Sequence, residues 1–278
     1  MAKPTTELTP MQRQYHDIKE RNQDCILFFR LGDFYEMFDE DARIAAKELD
    51  LTLTTRDRGK PKEEQTPMCG VPFHSVDAYI ARLVAKGYKV AICEQMEDPA
   101  TAKGIVERDI TRIVTPGTVT ESCMLDESKN NYMACLYGMG GKFGLAFCDV
   151  STGAFFVTVC SDAQSVASEL GRFAPSEVLR FGAGVEEETI SDALFRRLGC
   201  CVDEGHEQQF RLEAAEDLLE RHFEQNLAQL GIAGMDAAVI ASGALLQVLL
   251  DVQKNDLKHI RQLQYYTNGK FMELDMDA

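Results

Sequence analysis

The 278 residues carry 29 Lys and Arg against 45 Asp and Glu, a formal net charge of −16, and are 45% hydrophobic and 27% charged. That is a globular composition with room for two domains and part of a third, and its acidity argues against a protein that coats nucleic acid by charge alone. No apolar run approaches membrane-spanning length and Met1-Ala2-Lys3-Pro4 opens no signal-peptide core, so a cytoplasmic chain with no membrane partner is expected.

Thr9-Pro10-Met11-Gln12 has the form of a capping box with Pro at the first helical position, which predicts a helix from Pro10 to about Asn22 with Met11, Tyr15 and Ile18 as its apolar stripe. Cys25 to Leu31 reads as a buried strand that turns sharply at Gly32-Asp33. If the chain stays extended beyond the turn, Phe34 and Glu36 share one face and Tyr35 takes the other. An aromatic ring and a carboxylate are then presented together. Asp39 to Leu49 is a helix whose acidic first turn suits its dipole. Leu51 to Thr55 alternates like a strand and runs into Arg56-Asp57-Arg58-Gly59-Lys60-Pro61-Lys62, the one dense basic loop. Ser75 opens a helix faced by Val76, Tyr79, Ile80, Leu83 and Val84 and closed at Gly87, and Tyr88–Cys93 and Ile110–Val114 follow as strands. The alternation implies a mixed sheet flanked by helices.

Past a polar stretch from Pro116 to Asn130, the runs Tyr132–Tyr137, Phe143–Val150 and Ala154–Cys160 form a meander of three short strands. Ser161 then caps a helix to about Phe173, Glu177–Phe181 is a strand, and Ile190–Leu198 is helical. Three antiparallel strands followed by α-β-α is the order of an RNase H-like domain. After Glu204 the pattern is helical through Leu212–His222, Ala237–Val252 and Asp256–Leu263, and Ala241, Leu245, Leu246, Val248, Leu249 and Val252 make an apolar surface expected to stay partly uncovered. The fold class is therefore α/β: a mixed-sheet N-terminal domain over residues 1–118, a linker over 119–130, an RNase H-like domain over 131–203, and a C-terminal all-helical segment over 204–278.

Charge is uneven along the chain. Residues 1–118 hold 17 Lys and Arg against 20 Asp and Glu, and the remainder 12 against 25, so any DNA contact belongs to the first half. The nine cysteines include no Cys-x-x-Cys and sit in apolar runs, as reduced, buried small hydrophobes do. The Gly-Lys pairs at 59–60, 141–142 and 269–270 are followed by Pro, Phe and Phe, so none belongs to a phosphate-binding loop. His16, His74, His206, His222 and His259 have no metal spacing, and Asp149 has no carboxylate partners on neighbouring strand ends. No catalytic residue and no metal site is expected.

Gly32-Asp33-Phe34-Tyr35-Glu36-Met37-Phe38 resembles the Phe-x-Glu segment of the MutS family of DNA mismatch-recognition proteins. Pro67–His74, Val90–Gln95, Asp98–Thr101, Val106–Arg108 and Arg112–Thr118 follow in that family's order, and the match is densest over residues 8–120. The resemblance implies a mismatch-recognition domain, a connector domain and the start of a helical core. It implies that Phe34 enters the minor groove and stacks on a mispaired or unpaired base to which Glu36 hydrogen-bonds. Arg56, Arg58, Lys60 and Lys62 are the corresponding candidates for contacts to the DNA backbone. The implied partners are mismatched double-stranded DNA and, through the connector, a MutL-like protein. The family's full-length proteins dimerise and use ATP and Mg in a domain missing here, so this chain is expected to be a monomer without cofactor or enzymatic activity, in the bacterial cytoplasm and acting at the nucleoid. Two other classes stay open: a metal-dependent nuclease using Asp33, Glu36 and Glu94, and a protein-interaction module formed by the connector and its acidic surface.

Overall fold

The structure, a computed structural model, describes residues 8–56, 59, 61, 65–98, 104–121, 124 and 129–267. The chain divides into two units, Met1–Thr115 and Pro116–Ala278. In the first, α1 (Pro10–Glu20) starts at the predicted capping box: the Thr9 hydroxyl accepts from the Gln12 backbone N–H at 3.3 Å and the Gln12 side chain accepts from the Thr9 N–H at 2.9 Å. Then come β1 (Cys25–Leu31), β2 (Phe34–Phe38), α2 (Asp39–Leu49), β3 (Thr54–Thr55), β4 (Pro67–Pro72), α3 (Val76–Val84), β5 (Lys89–Gln95) and β6 (Arg108–Val114). The sheet order is β3-β4-β2-β1-β5-β6, with β1 parallel to β5 and every other pairing antiparallel. Central β1 is buried over its first five residues, as a strand covered on both faces must be.

Leu27, Phe29, Phe38, Ala91 and Cys93 lie under Tyr15 and Ile18 of α1. Asp41, in the first turn of α2, joins the helices to the sheet: it accepts from the Leu27 N–H at 2.9 Å and the Tyr15 hydroxyl at 3.3 Å, and pairs with Lys19 at 2.9 Å. Of the predicted strand over Leu51–Thr55 only β3 pairs, and Leu53 is exposed.

The second unit holds β7 (Tyr132–Met139), β8 (Lys142–Asp149), β9 (Ala154–Cys160), α4 (Ala163–Phe173), β10 (Glu177–Gly182), α5 (Asp192–Leu198), β11 (Cys201–Glu204), α6 (Leu212–Phe223), α7 (Asp236–Gln253) and β12 (Gln264–Tyr265). Its order, β11-β10-β7-β8-β9-β12, places an antiparallel meander beside parallel β10 and β11. This is the strand order of an RNase H-like sheet, with β12 added in parallel at the β9 edge. Asp162, and not Ser161, caps α4 by accepting from the Ser165 N–H at 2.8 Å.

Three expectations change. The segment after Glu204 is no separate helical body: α6 and α7 pack on one face of the second sheet, against Met133, Cys135, Ala146 and Cys148, while α4 and α5 pack on the other. The apolar face of α7 is thus covered at Ala241, Leu245, Leu246 and Leu249 and stays half-buried at Val248 and Val252. The 18 residues of α7 are long and apolar enough to cross a membrane by composition, and 67% of them are buried inside the protein, as a core helix requires. Residues 256–263 are not helical, since Leu257 has a φ of 47°. Thr118, expected to end the first domain, bonds into the second unit: its carbonyl accepts from the Gln253 side chain at 2.9 Å, and the Gly117 N–H donates to Glu177 at 2.9 Å.

The eight described cysteines take part in no disulfide. Burial pushes the thiols of Cys25, Cys93 and Cys200 up to about 12 and that of Cys69 up to about 11.

Candidate nucleic-acid interface

The β1–β2 hairpin turns on Gly32 and Asp33, with Leu31 opposite Phe34. Gly32 has a φ of 60° and Asp33 does not have positive φ, the pattern of a type II′ turn with glycine first. Three bonds hold the tip: the Gly32 N–H donates to Gln95 Oε1 at 3.0 Å, Arg30 Nε donates to the Gly32 carbonyl at 2.5 Å, and the Phe73 N–H donates to the Asp33 carbonyl at 3.0 Å.

From this tip β2 sends alternate side chains to opposite faces, as predicted. Tyr35 and Met37 are buried, while Phe34 stands 48% exposed. Phe34, Glu36 and Phe38 share the α1 side of the sheet. Helix α1 reaches Phe38, whose ring meets Tyr15 edge-on at 4.9 Å, and ends its cover there. Phe34 and Glu36 occupy the open end of that face.

Glu36 sits between Phe29 of β1 and Gly70 of β4. Its carboxylate lies 3.3 Å from the Arg56 guanidinium, and its side chain is 20% exposed against 47% for Arg56. Burial raises the Glu36 carboxyl above the usual range, and Arg56 works in the other direction. A Cβ on Gly70 would stand 3.2 Å from the Tyr35 carbonyl and 3.6 Å from Glu36 Cγ, so glycine keeps the space beside Glu36 clear. Arg58, Lys60 and Lys62, the other basic candidates, lie outside the described residues.

The opposite face is internally bonded. The Tyr35 hydroxyl donates to Glu94, Arg30 lies 3.7 Å from Glu94, and the Arg30 guanidinium stacks 3.8 Å over the half-exposed Phe73 ring. The three carboxylates of the nuclease alternative do not converge: Glu94 projects from the face away from Glu36, while Asp33 stands exposed in the turn. Among the described residues no three metal-ligating side chains come together. Asp149 is structural. Buried, it accepts from the Ser151 N–H at 2.9 Å, the Ser151 hydroxyl at 2.7 Å and the Asn131 N–H at 3.2 Å, and so ties the β8–β9 turn to β7.

Sequence reasoning missed the Arg30–Phe73 stack and the Glu36–Arg56 pair. The first had a signal, a charged residue closing the apolar run Ile26-Leu27-Phe28-Phe29. The second joins residues 20 apart through β4, whose pairing the sequence does not announce.

Residues 9–123 match the family described as MutS domain I, and residues 131–261 match MutS domain II, which takes in α6 and α7. A protein of Ruminiclostridium cellulolyticum named DNA mismatch repair protein MutS is 49% identical over 98% of this chain. Proteins of the same name from Acetivibrio thermocellus and Methanococcoides burtonii are 47% and 43% identical over 97% of it. The chain spans 31% of the length of each of these relatives.

Proposed function

The chain belongs to the MutS family, and on that premise we propose that its first unit recognises mispaired or unpaired bases in duplex DNA. The observation that carries the reading is the open end of the first sheet, where an exposed Phe34 stands two residues from a half-buried Glu36 on a strand whose other side chains are core. A wedge that enters the minor groove must unstack and kink the duplex, by roughly 20–90° at a few kcal/mol per step. Mispaired steps deform more cheaply than paired ones, so an aromatic wedge selects them without reading sequence. Phe34 is the wedge in this proposal and Glu36 bonds the base it meets. Arg56, exposed beside them, contacts the DNA backbone.

The second unit is proposed as the connector that meets a MutL-like partner. Dimerisation and ATP hydrolysis with Mg are proposed for parts of the longer relatives outside the 31% matched here, and these residues are assigned no cofactor and no catalysis of their own. The site of action is proposed to be the bacterial cytoplasm.

Titration of fluorescent duplexes with and without one unpaired base, in the presence and absence of Mg²⁺, tests the reading. Tighter binding to the unpaired-base duplex without cleavage is expected. Equal affinity for both duplexes, or strand cleavage on adding Mg²⁺, would overturn it.

A further inference from the structure

We infer that Arg56 is exchanged between two anions: in the free protein it closes on Glu36, and on DNA it passes to a backbone phosphate and leaves Glu36 at the base without its counter-ion. The inference rests on the function proposed above and adds the step by which the carboxylate is made ready.

The geometry supplies both ends of the exchange. Among the described residues Arg56 is the charged group that acts on Glu36, since the flanking register positions hold Phe29 and Gly70. Among the described residues, two further cations on the α1 side are committed elsewhere: Lys19 pairs with Asp41 at 2.9 Å, and Arg108 donates from Nε to the Arg30 carbonyl at 2.7 Å and from Nη1 to Gln14 at 3.0 Å. Arg56 is the outer member of its pair, 47% exposed where Glu36 is 20% exposed. An arriving phosphate therefore meets the guanidinium first. A guanidinium fork fits carboxylate and phosphate alike, so the outcome turns on which anion is easier to neutralise. A phosphodiester keeps its charge at neutral pH, whereas Glu36 can take a proton, and its carboxyl is already raised by burial. Once Arg56 leaves, the protonated acid can donate to a base acceptor. A paired stack resists the wedge and so does not bring a base to Glu36, and on matched DNA the exchange then breaks an ion pair without return.

The test is a double-mutant cycle on duplex affinity, together with the carboxyl ¹³C signal of Glu36 in the unmutated chain. Glu36→Gln should tighten matched-duplex binding about fivefold in the parent and less than about twofold in an Arg56→Gln background, because the pair is already broken there. In the unmutated chain the Glu36 signal should titrate at higher pH with the unpaired-base duplex than without it. Equal effects of Glu36→Gln in both backgrounds, or a Glu36 titration that the duplex leaves in place, would overturn the exchange while mismatch preference stands. Loss of any preference in the parent would overturn the exchange together with the reading beneath it.

Discussion

The Tyr35 hydroxyl donates to Glu94 on the face of the sheet opposite Phe34, so the residue between the two candidate DNA contacts is anchored on the other side of the sheet from them. Arg30 completes the anchor, 3.7 Å from Glu94 and stacked on Phe73. Tyr35→Phe keeps the packing and removes the donor. It should cost the first unit about 0.5–1.5 kcal/mol, the net worth of one such bond. Urea unfolding followed at the first unit checks this, and an unchanged midpoint would show that Glu94 is held by Arg30 alone.

Phe34→Ala should separate recognition from folding. A side chain 48% exposed supports little core, so the melting temperature should move little, while loss of stacking should remove about 1–3 kcal/mol of preference for the unpaired-base duplex. A stability loss of about 3–5 kcal/mol would instead place Phe34 in the core.

Stability should also depend on Glu36 in a definite direction. Its folded carboxyl lies above the unfolded one, near about 4.3 in model peptides, because burial outweighs Arg56. The folded state therefore holds the proton more tightly, and the favourable contribution is full below the unfolded value and lost as pH rises through the folded one. Glu36→Gln should then stabilise the first unit at pH 7 and make no difference well below pH 4. Parallel melts across that range decide, and a gain seen only in acid would reverse the sign.

Gly144 tests the placement of the last long helix. A Cβ there would overlap the Ala237 carbonyl, because α7 lies directly on β8. Gly144→Ala should cost the second unit about 3 kcal/mol or more, at the upper end of overpacking, and leave the first unit's transition where it was. A melt unchanged in both units would mean that α7 does not rest on this sheet.

Much of this was legible because local chemistry and tertiary demand agree. The Thr9–Gln12 box, the acidic first turn of α2 and the Gly32-Asp33 turn are each set by neighbours in the chain, and α2 spans the predicted residues. The face shared by Phe34 and Glu36 followed from strand alternation alone. What escaped is set by distant partners. The β4 segment Pro67-Met68-Cys69-Gly70-Val71-Pro72 has weak strand propensity, and it is extended because β2 and β3 pair with it on both sides. Helices α6 and α7 look like the opening of another domain in sequence, yet the apolar face of α7 is met by β7 and β8 and that of α6 by α7. Arg58, Lys60 and Lys62 fall outside the described residues, so Arg56 alone of that loop can be set beside Glu36.

The buried thiols turn the chain into its own labelling reagent. Cys25, Cys69 and Cys93 lie in the first unit and Cys135, Cys148, Cys160 and Cys200 in the second, all buried, with only Cys201 of the described set partly open. A neutral, enclosed thiol does not react, so alkylation of each cysteine must wait for its own part of the fold to open. Mass-resolved alkylation thus reads the opening of the two units separately in one unmodified sample. If duplex DNA slows labelling at Cys25, Cys69 and Cys93 and leaves Cys135 and Cys148 at their former rates, the protection localises the binding energy to the first unit without any substitution in the interface.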